Sequence, residues 1–364
     1  MNGFEEWYRT ALPDQRGDAN FEVRRLHHSE FHQVYDLVDE AFGRKRSRAE
    51  FDWLYRQNPL GFARCWAAVE RHTGRLASAV PQIPWPLALG EERIDGMMWV
   101  DWVTAPRWRH RKLGDLINPL WQHDPWMQRC VGMSWPNEKS RRWYEKYGKE
   151  GPPLGPLPLR ALPLRNARRF LRARGWPALL AAPAGFAANG LLRAWSRIAV
   201  ASGAHRAVAE VGRFDSAFAD AIRGCMTFPS FWSPHDPDFL NWRYLDHPTR
   251  RCVAFACGDA PAGFCVVQLD GKRAILMELV APPARDGRVA LALLHRAIGT
   301  ARAAGCAQLE SFAPPRWPHW RLLRRLGFVT LPSHEFMRPT AQREIPGLYQ
   351  IENWQLVPGD KDSL

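Results

Sequence analysis

The stretch Asp101–Leu116, DWVTAPRWRHRKLGDL, holds the residues best suited to chemistry. It describes a strand that ends, a turn rich in Arg and Lys, and a helix that begins near Leu113. Such a turn aims backbone N–H groups outward at a helix N-terminus, where the peptide dipoles sum to about half a positive charge. That combination suits a pyrophosphate, and Arg107, Arg109, Arg111 and Lys112 add fixed positive charge. The same residues also fit a basic turn that faces solvent. A second stretch, PNEKSRRWYEKYGK, starts at Pro136. Asn137 is a good N-cap, with Glu138 in the first turn. Trp143 and Tyr147 share one helix face, as packing residues do, and Tyr144 lies on another. His27, His28 and His32 are the densest histidine group. They have no carboxylate at metal-site spacing and read as surface residues, so no metal is expected.

The elements that position these stretches read as two copies of one unit. Phe51–Pro59 is FDWLYRQNP and Leu240–Pro248 is LNWRYLDHP, so Trp53, Tyr55 and Pro59 match Trp242, Tyr244 and Pro248 at an offset of 189. Arg64-Cys65-Trp66-Ala67 matches Arg251-Cys252-Val253-Ala254 at an offset of 187. Pro106 and Arg109 match Pro282 and Arg285 at 176, and Tyr147-Gly148 matches Leu326-Gly327 at 179. The order is kept while the offset drifts by loop-sized steps, which describes a diverged tandem duplication. In the first copy, period and turn signals predict a strand over Phe21–Leu26, helices over 29–42 and 48–57, and a hairpin of Cys65–Glu70 with Leu76–Ile83. A strand pair running to Thr104, a helix from Leu113, the strand Cys130–Ser134, the helix Glu138–Tyr147 and a strand pair near Leu154–Leu164 follow. The second copy repeats this with strands 253–257, 264–270, 274–281 and 307–312 and helices 289–304 and 317–326. The expected fold class is α/β (α+β), two tandem domains, each a mixed, mostly antiparallel sheet flanked by helices. The expected domains are an N-terminal segment 1–20, a first domain 21–165, an Arg/Ala-rich helical linker 166–208, a second domain 209–340, and a C-terminal strand and tail 341–364.

A chain of 364 residues has room for two ordinary cores, and 46% hydrophobic with 24% charged residues excludes a disordered or fibrous chain. Lys plus Arg outnumber Asp plus Glu by 50 to 37, a net charge of +13. The seven Cys, at 65, 130, 225, 252, 257, 265 and 306, form no CxxC pair. Buried reduced thiols, rather than a disulfide framework or a zinc site, point to a reducing, cytoplasmic compartment. MNGFEEWYRT has no basic region followed by an apolar run, so no signal peptide is expected. The charge-free stretch Gly175–Leu192 is 18 residues long but contains two Pro and three Gly, and eight Arg flank it. It reads as a surface-lying or inter-domain helix rather than a span, with peripheral membrane contact through 160–200.

Together the two stretches resemble the signatures of the GNAT superfamily of acyl-coenzyme A-dependent N-acyltransferases. The first signature is Pro, two residues, Arg or Gln, two residues, Gly, one residue, and Gly or Ala. Pro106, Arg109 and Gly114 match it, and Lys112 stands where the first Gly belongs. The second signature is met by Asn137, Tyr144, Lys146 and Gly148, with Ser140 and Trp143 at altered positions and Lys149 at the final aromatic one. The resemblance covers about Phe21–Arg165. It implies that Arg109, His110, Arg111, Lys112, Leu113 and Gly114, with Asn137, bind acetyl-CoA or another acyl-CoA. It implies that Val103 and Thr104 pair with the pantetheine arm, and that Tyr144 protonates the departing thiolate. Strand alternation puts Asp101 on the face of Val103, where it could take the amine proton; equally, it could be a strand-end carboxylate paired with a nearby Arg. In the second copy Glu278 stands two residues before Val280, and Val280-Ala281-Pro282 with Arg285 keeps the start of the first signature. Arg288 stands where the Gly belongs and Leu323 where the Tyr belongs, so this possible second site, Glu278, Val280 and Arg285, reads as eroded. FLNWRYLDHP and the C-terminal WQLVPGDKDSL also resemble tandem GNAT-like proteins of bacterial exopolysaccharide and exosortase systems.

The resulting expectation is transfer of an acyl group, acetyl in the simplest case, from acyl-CoA to a primary amine of a small molecule or amino sugar. An acidic acyl carrier protein is an alternative donor that a +13 chain would attract. Two other readings are a non-catalytic GNAT-like scaffold and a nucleic-acid-binding protein. The second is disfavoured because the 18 Trp are spread through expected core positions and no nucleic-acid motif appears.

Overall fold

A computed structural model describes residues 3–10, 17–43, 46–137, 140, 152–165, 168, 171–172, 175–201, 206–225, 231–283, 287–314, 317–331 and 337–361. The chain divides into two units, each made of two stretches: Met1–Leu154 with Phe336–Gln350, and Gly155–Glu335 with Ile351–Leu364.

The first unit opens with helix α1 (Phe4–Arg9) and strand β1 (Phe21–Arg25). Helix α2 (Phe31–Phe42) buries Phe31, Val34, Tyr35, Leu37 and Val38, the helical spacing of its sequence. Helix α3 (Arg48–Tyr55) starts at a capping box, in which the Ser47 side chain accepts from the Glu50 N–H. Strands β2 (Arg64–Glu70), β3 (Leu76–Leu89) and β4 (Glu92–Trp99) form an antiparallel meander beside β1. Beyond a break at 100–102, strand β5 (Val103–Thr104) resumes pairing with β3. Helices α4 (Leu113–Gln122) and α5 (Pro125–Arg129) precede β6 (Val131–Ser134), which runs parallel to β4. The strand Arg338–Ala341, β15 in chain order, pairs with β6 and closes this sheet.

A buried carboxylate ties these elements together. Asp124 Oδ2 accepts from Trp7 Nε1 at 2.9 Å, Arg25 Nη2 at 2.7 Å and Trp66 Nε1 at 3.2 Å, while its Oδ1 takes the Trp126 N–H. Asp124 therefore joins α1, β1, β2 and α5 through one desolvated charge that is fully satisfied.

The second unit contains β7 (Leu159–Pro163), helix α6 (Ala178–Ala201), β8 (Val208–Val211), helix α7 (Ala217–Gly224) and β9 (Phe231–Trp232). A short helix α8 (Pro237–Leu240) continues as a π-turn over Asn241–Leu245. Strands β10 (Arg251–Cys257), β11 (Phe264–Asp270) and β12 (Arg273–Val280) precede helix α9 (Arg288–Ala303). The unit ends with β13 (Gln308–Phe312), helix α10 (Trp320–Arg325), β14 (Val329–Leu331) and β16 (Trp354–Gln355). Its main sheet has the order β14-β7-β13-β12-β11-β10-β8. One face packs Leu293, Leu294, Ala297 and Ile298 of α9, and the other packs Phe214, Phe218, Leu240 and Tyr244.

The division differs from the sequence expectation. A boundary at 165 would leave β7 in the first domain, but β7 pairs with β13 and β14 in the second unit. Arg160, counted with the exposed basic run, is in β7, buried, and donates to Thr330 Oγ1 at 2.6 Å. Residues 166–208, expected as a linker, also fall within the second unit. The last segment divides as well: β15 belongs to the first unit and Ile351–Leu364 to the second. Hydrophobic periodicity identifies strands but carries no information on which of two similar sheets receives them. Apart from Ser140, the predicted helix over Glu138–Tyr147 lies outside the described residues.

Replacing Asp124 by Ala would leave Arg25 buried without its charge partner, a loss of about 3–5 kcal/mol. The expected result is a lower urea midpoint for the unfolding transition that includes the first unit, followed by tryptophan fluorescence.

Candidate functional site

In both units the strand bearing the candidate site parts from its parallel neighbour. In the first unit β6 meets β4 only at Gly96–Met98, so β5 has no described strand on the side away from β3. Ala105 N donates to Ala77 O at 2.9 Å, and antiparallel alternation then turns the N–H and C=O of Thr104 toward that open edge. Val103 is buried, with its carbonyl accepting from Ser78 Oγ at 2.9 Å.

Asp101 does not follow the strand alternation expected of it. Its φ is 45°, within the break between β4 and β5. Arg46 Nη1 lies 2.6 Å from Asp101 Oδ2 and Nη2 2.7 Å from Oδ1, and the Tyr55 hydroxyl donates to Oδ2 at 3.0 Å. Of the two sequence readings, the ion pair is the one observed.

The expected turn after β5 is a 3-10 helix over Pro106–Arg111, followed by α4. Lys112 is the N-cap of α4 with φ 52°, a left-handed conformation that costs a non-glycine residue about 1–2 kcal/mol. Its exposed side chain makes no capping hydrogen bond, so the first amides of α4 have no side-chain acceptor there. Leu113 is buried. Gly114 packs closely on Trp102, so that a Cβ there would stand 3.2 Å from Trp102 Cζ2. Arg109 donates to Ala41 O at 2.8 Å, and Arg111 lies 4.0 Å from Asp18. His110 is exposed. Asn137 acts as the expected cap, with Oδ1 accepting from Ser140 N at 3.0 Å. Tyr144 and Arg285 lie outside the described residues.

The second unit repeats the arrangement with different partners. Glu278 follows a bulge at Met277 in the pairing of β12 with β11. Before the bulge Ala274 and Leu276 face α9; after it Leu279 does. The extra residue turns Glu278 to the opposite face, that of Tyr244. Glu278 Oε1 accepts from the Tyr244 hydroxyl at 2.5 Å and lies 2.7 Å from His235 Nδ1. His235 Nε2 is 3.2 Å from Asp360 Oδ1. All four residues are buried. Burial pulls the His235 imidazole down, but Glu278 and Asp360 outweigh it and raise it to about 10. Burial and the Glu278 charge hold the Tyr244 hydroxyl well above its ordinary range. Gly359 completes the cluster: a Cβ there would overlap the Tyr244 hydroxyl and Glu278 Oε1.

This cluster borders a cavity lined also by Trp232, Val280, Trp317 and His319. Burial pulls His319 down to about 4, so its imidazole is neutral. The erosion expected from Arg288 is offset by a turn one residue shorter. The left-handed N-cap of α9 is Gly287, with φ 56°, in the place that Lys112 takes before α4.

Sequence reasoning gave no role to Arg46, Tyr55, His235, Tyr244, Gly359 or Asp360. A signal existed for two of them: Arg46 and His235 are related by the same offset of 189 as Tyr55 and Tyr244. His27 and His28, read as lacking a carboxylate, meet one in space. Glu5 Oε1 lies 3.3 Å from His27 Nε2 and 3.7 Å from His28 Nε2, delivered by α1.

Residues 22–150 match the family model described as an acetyltransferase (GNAT) domain. None of the curated proteins matches the sequence. Among solved structures, the chain is similar to a conserved protein of unknown function from Enterococcus faecalis V583, described as a probable N-acyltransferase. The TM-score is 0.58 at 11% identity, covering 88% of this chain and 72% of that one. For N-myristoyltransferase of Saccharomyces cerevisiae with bound myristoyl-CoA, the TM-score is 0.56 at 11% identity, covering 92% and 86%. For a tandem GNAT protein from the clavulanic acid biosynthesis pathway, it is 0.52 at 13% identity, covering 89% and 99%. The protein therefore has the GNAT N-acyltransferase fold, with two mixed sheets flanked by helices.

His235 binds its proton more tightly in the folded chain than in the unfolded one. Its contribution to stability is complete below about pH 6.5 and is lost as pH rises toward about 10. The wild type is expected to lose on the order of a few kcal/mol across that window. His235→Gln should lack that part of the fall, measured by denaturant midpoints at pH 6 and pH 9.5.

Proposed function

We propose that this protein is an acyltransferase that moves an acyl group from acyl-CoA to a primary amine of a small molecule or an amino sugar. The observation that carries this reading is the open edge of Thr104 beside the N-terminus of α4 in the segment that matches the GNAT domain. An edge strand offers its N–H and C=O to an extended amide-bearing chain, as a pantetheine arm is. Helix N-terminal amides without a side-chain acceptor, with Arg107, Arg109, Arg111 and Lys112 around them, suit a pyrophosphate. Lys112 departs from the glycine of the signature, but its side chain is exposed and leaves the backbone conformation in place.

When bound, acyl-CoA supplies an activated thioester carbonyl. The chain's part is to hold that carbonyl beside the amine, since positioning alone removes several kcal/mol of a bimolecular barrier. A backbone N–H of the 103–104 segment would stabilise the oxygen that gains charge. Tyr144 is proposed to protonate the departing sulfur. Asp101 is left out of proton transfer and assigned to holding the strand break through Arg46 and Tyr55.

Calorimetric titration with coenzyme A and acetyl-CoA is expected to show binding to the wild type, at least tenfold weaker in Arg109→Ala. Absence of heat with both ligands would overturn the acyl-CoA reading.

Peripheral membrane contact is proposed through α6, where Leu179 is 90% exposed and Phe186 84% exposed, with Leu180 and Leu191 also exposed. The expected result is co-sedimentation with phosphatidylglycerol vesicles that weakens in high salt. No sedimentation at low salt would exclude this contact.

A further inference from the structure

Glu5, His27 and His28 form a cluster that acyl transfer leaves without a role. Their ligand atoms lie within 4.8 Å of one another. Glu5 Oε1 stands 3.3 Å from His27 Nε2 and 3.7 Å from His28 Nε2. In a tetrahedral site with bonds of about 2.0–2.1 Å, neighbouring ligand atoms are about 3.3–3.4 Å apart. The carboxylate oxygen and the two nitrogens therefore already stand near the edges of such a tetrahedron. The Glu5 side chain is half exposed and can close the remaining gap. The expectation of no metal rested on sequence spacing, which a ligand carried by α1 bypasses.

The two rings are held in place by the protein alone. His27 caps the 3-10 turn His28–Glu30 that follows β1, and its N–H donates to Glu30 Oε2 at 3.1 Å. The His28 carbonyl accepts from Arg56 Nη2 at 2.7 Å. Phe4 packs edge-on against both rings, with centroids 6.0 and 5.4 Å away, and Phe62 lies 4.8 Å from His28. Glu5 is brought by α1, whose Trp7 is tied to the buried Asp124. A site ordered in this way loses little freedom when an ion binds.

The donors select the ion. Two imidazole nitrogens and one carboxylate oxygen suit Zn²⁺, with water at the fourth corner. His27 Nδ1 lies 2.8 Å from Ser29 Oγ, which can accept from Nδ1–H and so leave the lone pair on Nε2. That tautomer gives up the longer contact, 3.3 Å, from the Ser29 N–H to Nδ1. Burial, aided by His27 and Arg56, lowers the His28 imidazole against the pull of Glu5, so it is unprotonated at neutral pH. Arg9 lies 3.5 Å from Glu5 Oε2, which leaves Oε1 to face the rings. We propose that Glu5 Oε1, His27 Nε2 and His28 Nε2 form a Zn²⁺ site that fastens α1 to the end of β1. No residue proposed for acyl-CoA binding takes part, so the two readings stand or fall separately.

The test is calorimetric titration of the full chain at pH 7 with Zn²⁺, joined by the absorption spectrum with Co²⁺ in its place. Zn²⁺ is expected to bind with a Kd of about 10 µM or tighter. Glu5→Gln and His28→Gln should each weaken it about tenfold or more, and His72→Gln, at an exposed histidine elsewhere, should not. Co²⁺ should give the strong visible bands of tetrahedral coordination without a sulfur charge-transfer band. Zn²⁺ should raise the urea midpoint of the wild type and leave that of Glu5→Gln in place. A Kd weaker than about 10 µM would overturn the proposal. So would an octahedral Co²⁺ spectrum, a charge-transfer band from cysteine, unchanged affinity in either ligand variant, or a midpoint that Zn²⁺ does not raise. The wild-type titration and Co²⁺ spectrum decide the matter even if a variant fails to fold.

Discussion

A buried tyrosine hydroxyl, hydrogen-bonded to a carboxylate at the end of a central strand, anchors each unit. Tyr55 holds Asp101 and Tyr244 holds Glu278. Each carboxylate sits at an irregularity in its strand: the left-handed Asp101 in one, the bulge before Glu278 in the other. Without the hydrogen bond, the irregularity would leave a charged group buried with no donor from the tyrosine helix. With it, the strand can leave its parallel neighbour and open an edge or a cavity. The first turn of the preceding helix is fixed in the same way in both units. Ser47 accepts from the Glu50 N–H, and Asp236 from the Phe239 N–H.

What differs is the third partner. Arg46 closes the first carboxylate with a charge that does not titrate near neutral pH. His235 reaches one oxygen of the second carboxylate and links it to Asp360. One architecture therefore supports a rigid strand break in one unit and a polar-walled cavity in the other.

Much of the element order was legible in the sequence. The strands over 64–70, 251–257 and 264–270 and the helix over 288–303 follow from alternation and helical spacing. So does the cap at Asn137, because capping is decided within one turn. Gly287, one residue before Arg288, takes the left-handed N-cap position of α9, which an alignment by residue type does not show. The cluster of His235, Glu278 and Asp360 was not legible, because its members lie 43 residues apart or more and none belongs to a local pattern. The same reason hid Glu5 from His27 and His28, since a carboxylate brought by another helix has no spacing signature.

The interleaving of the two stretches within each unit sets a timetable for synthesis. The first sheet receives β15 only after residue 341 has been made, and the second unit still awaits the buried Asp360 at that point. A ribosome translating from the N-terminus therefore cannot complete the first unit before starting the second. Until residue 341 has been made, the edge of β6 that β15 covers remains available for mispairing. A nascent chain that stalls between β7 and β14 would thus carry two unfinished sheets rather than one finished domain and a tail.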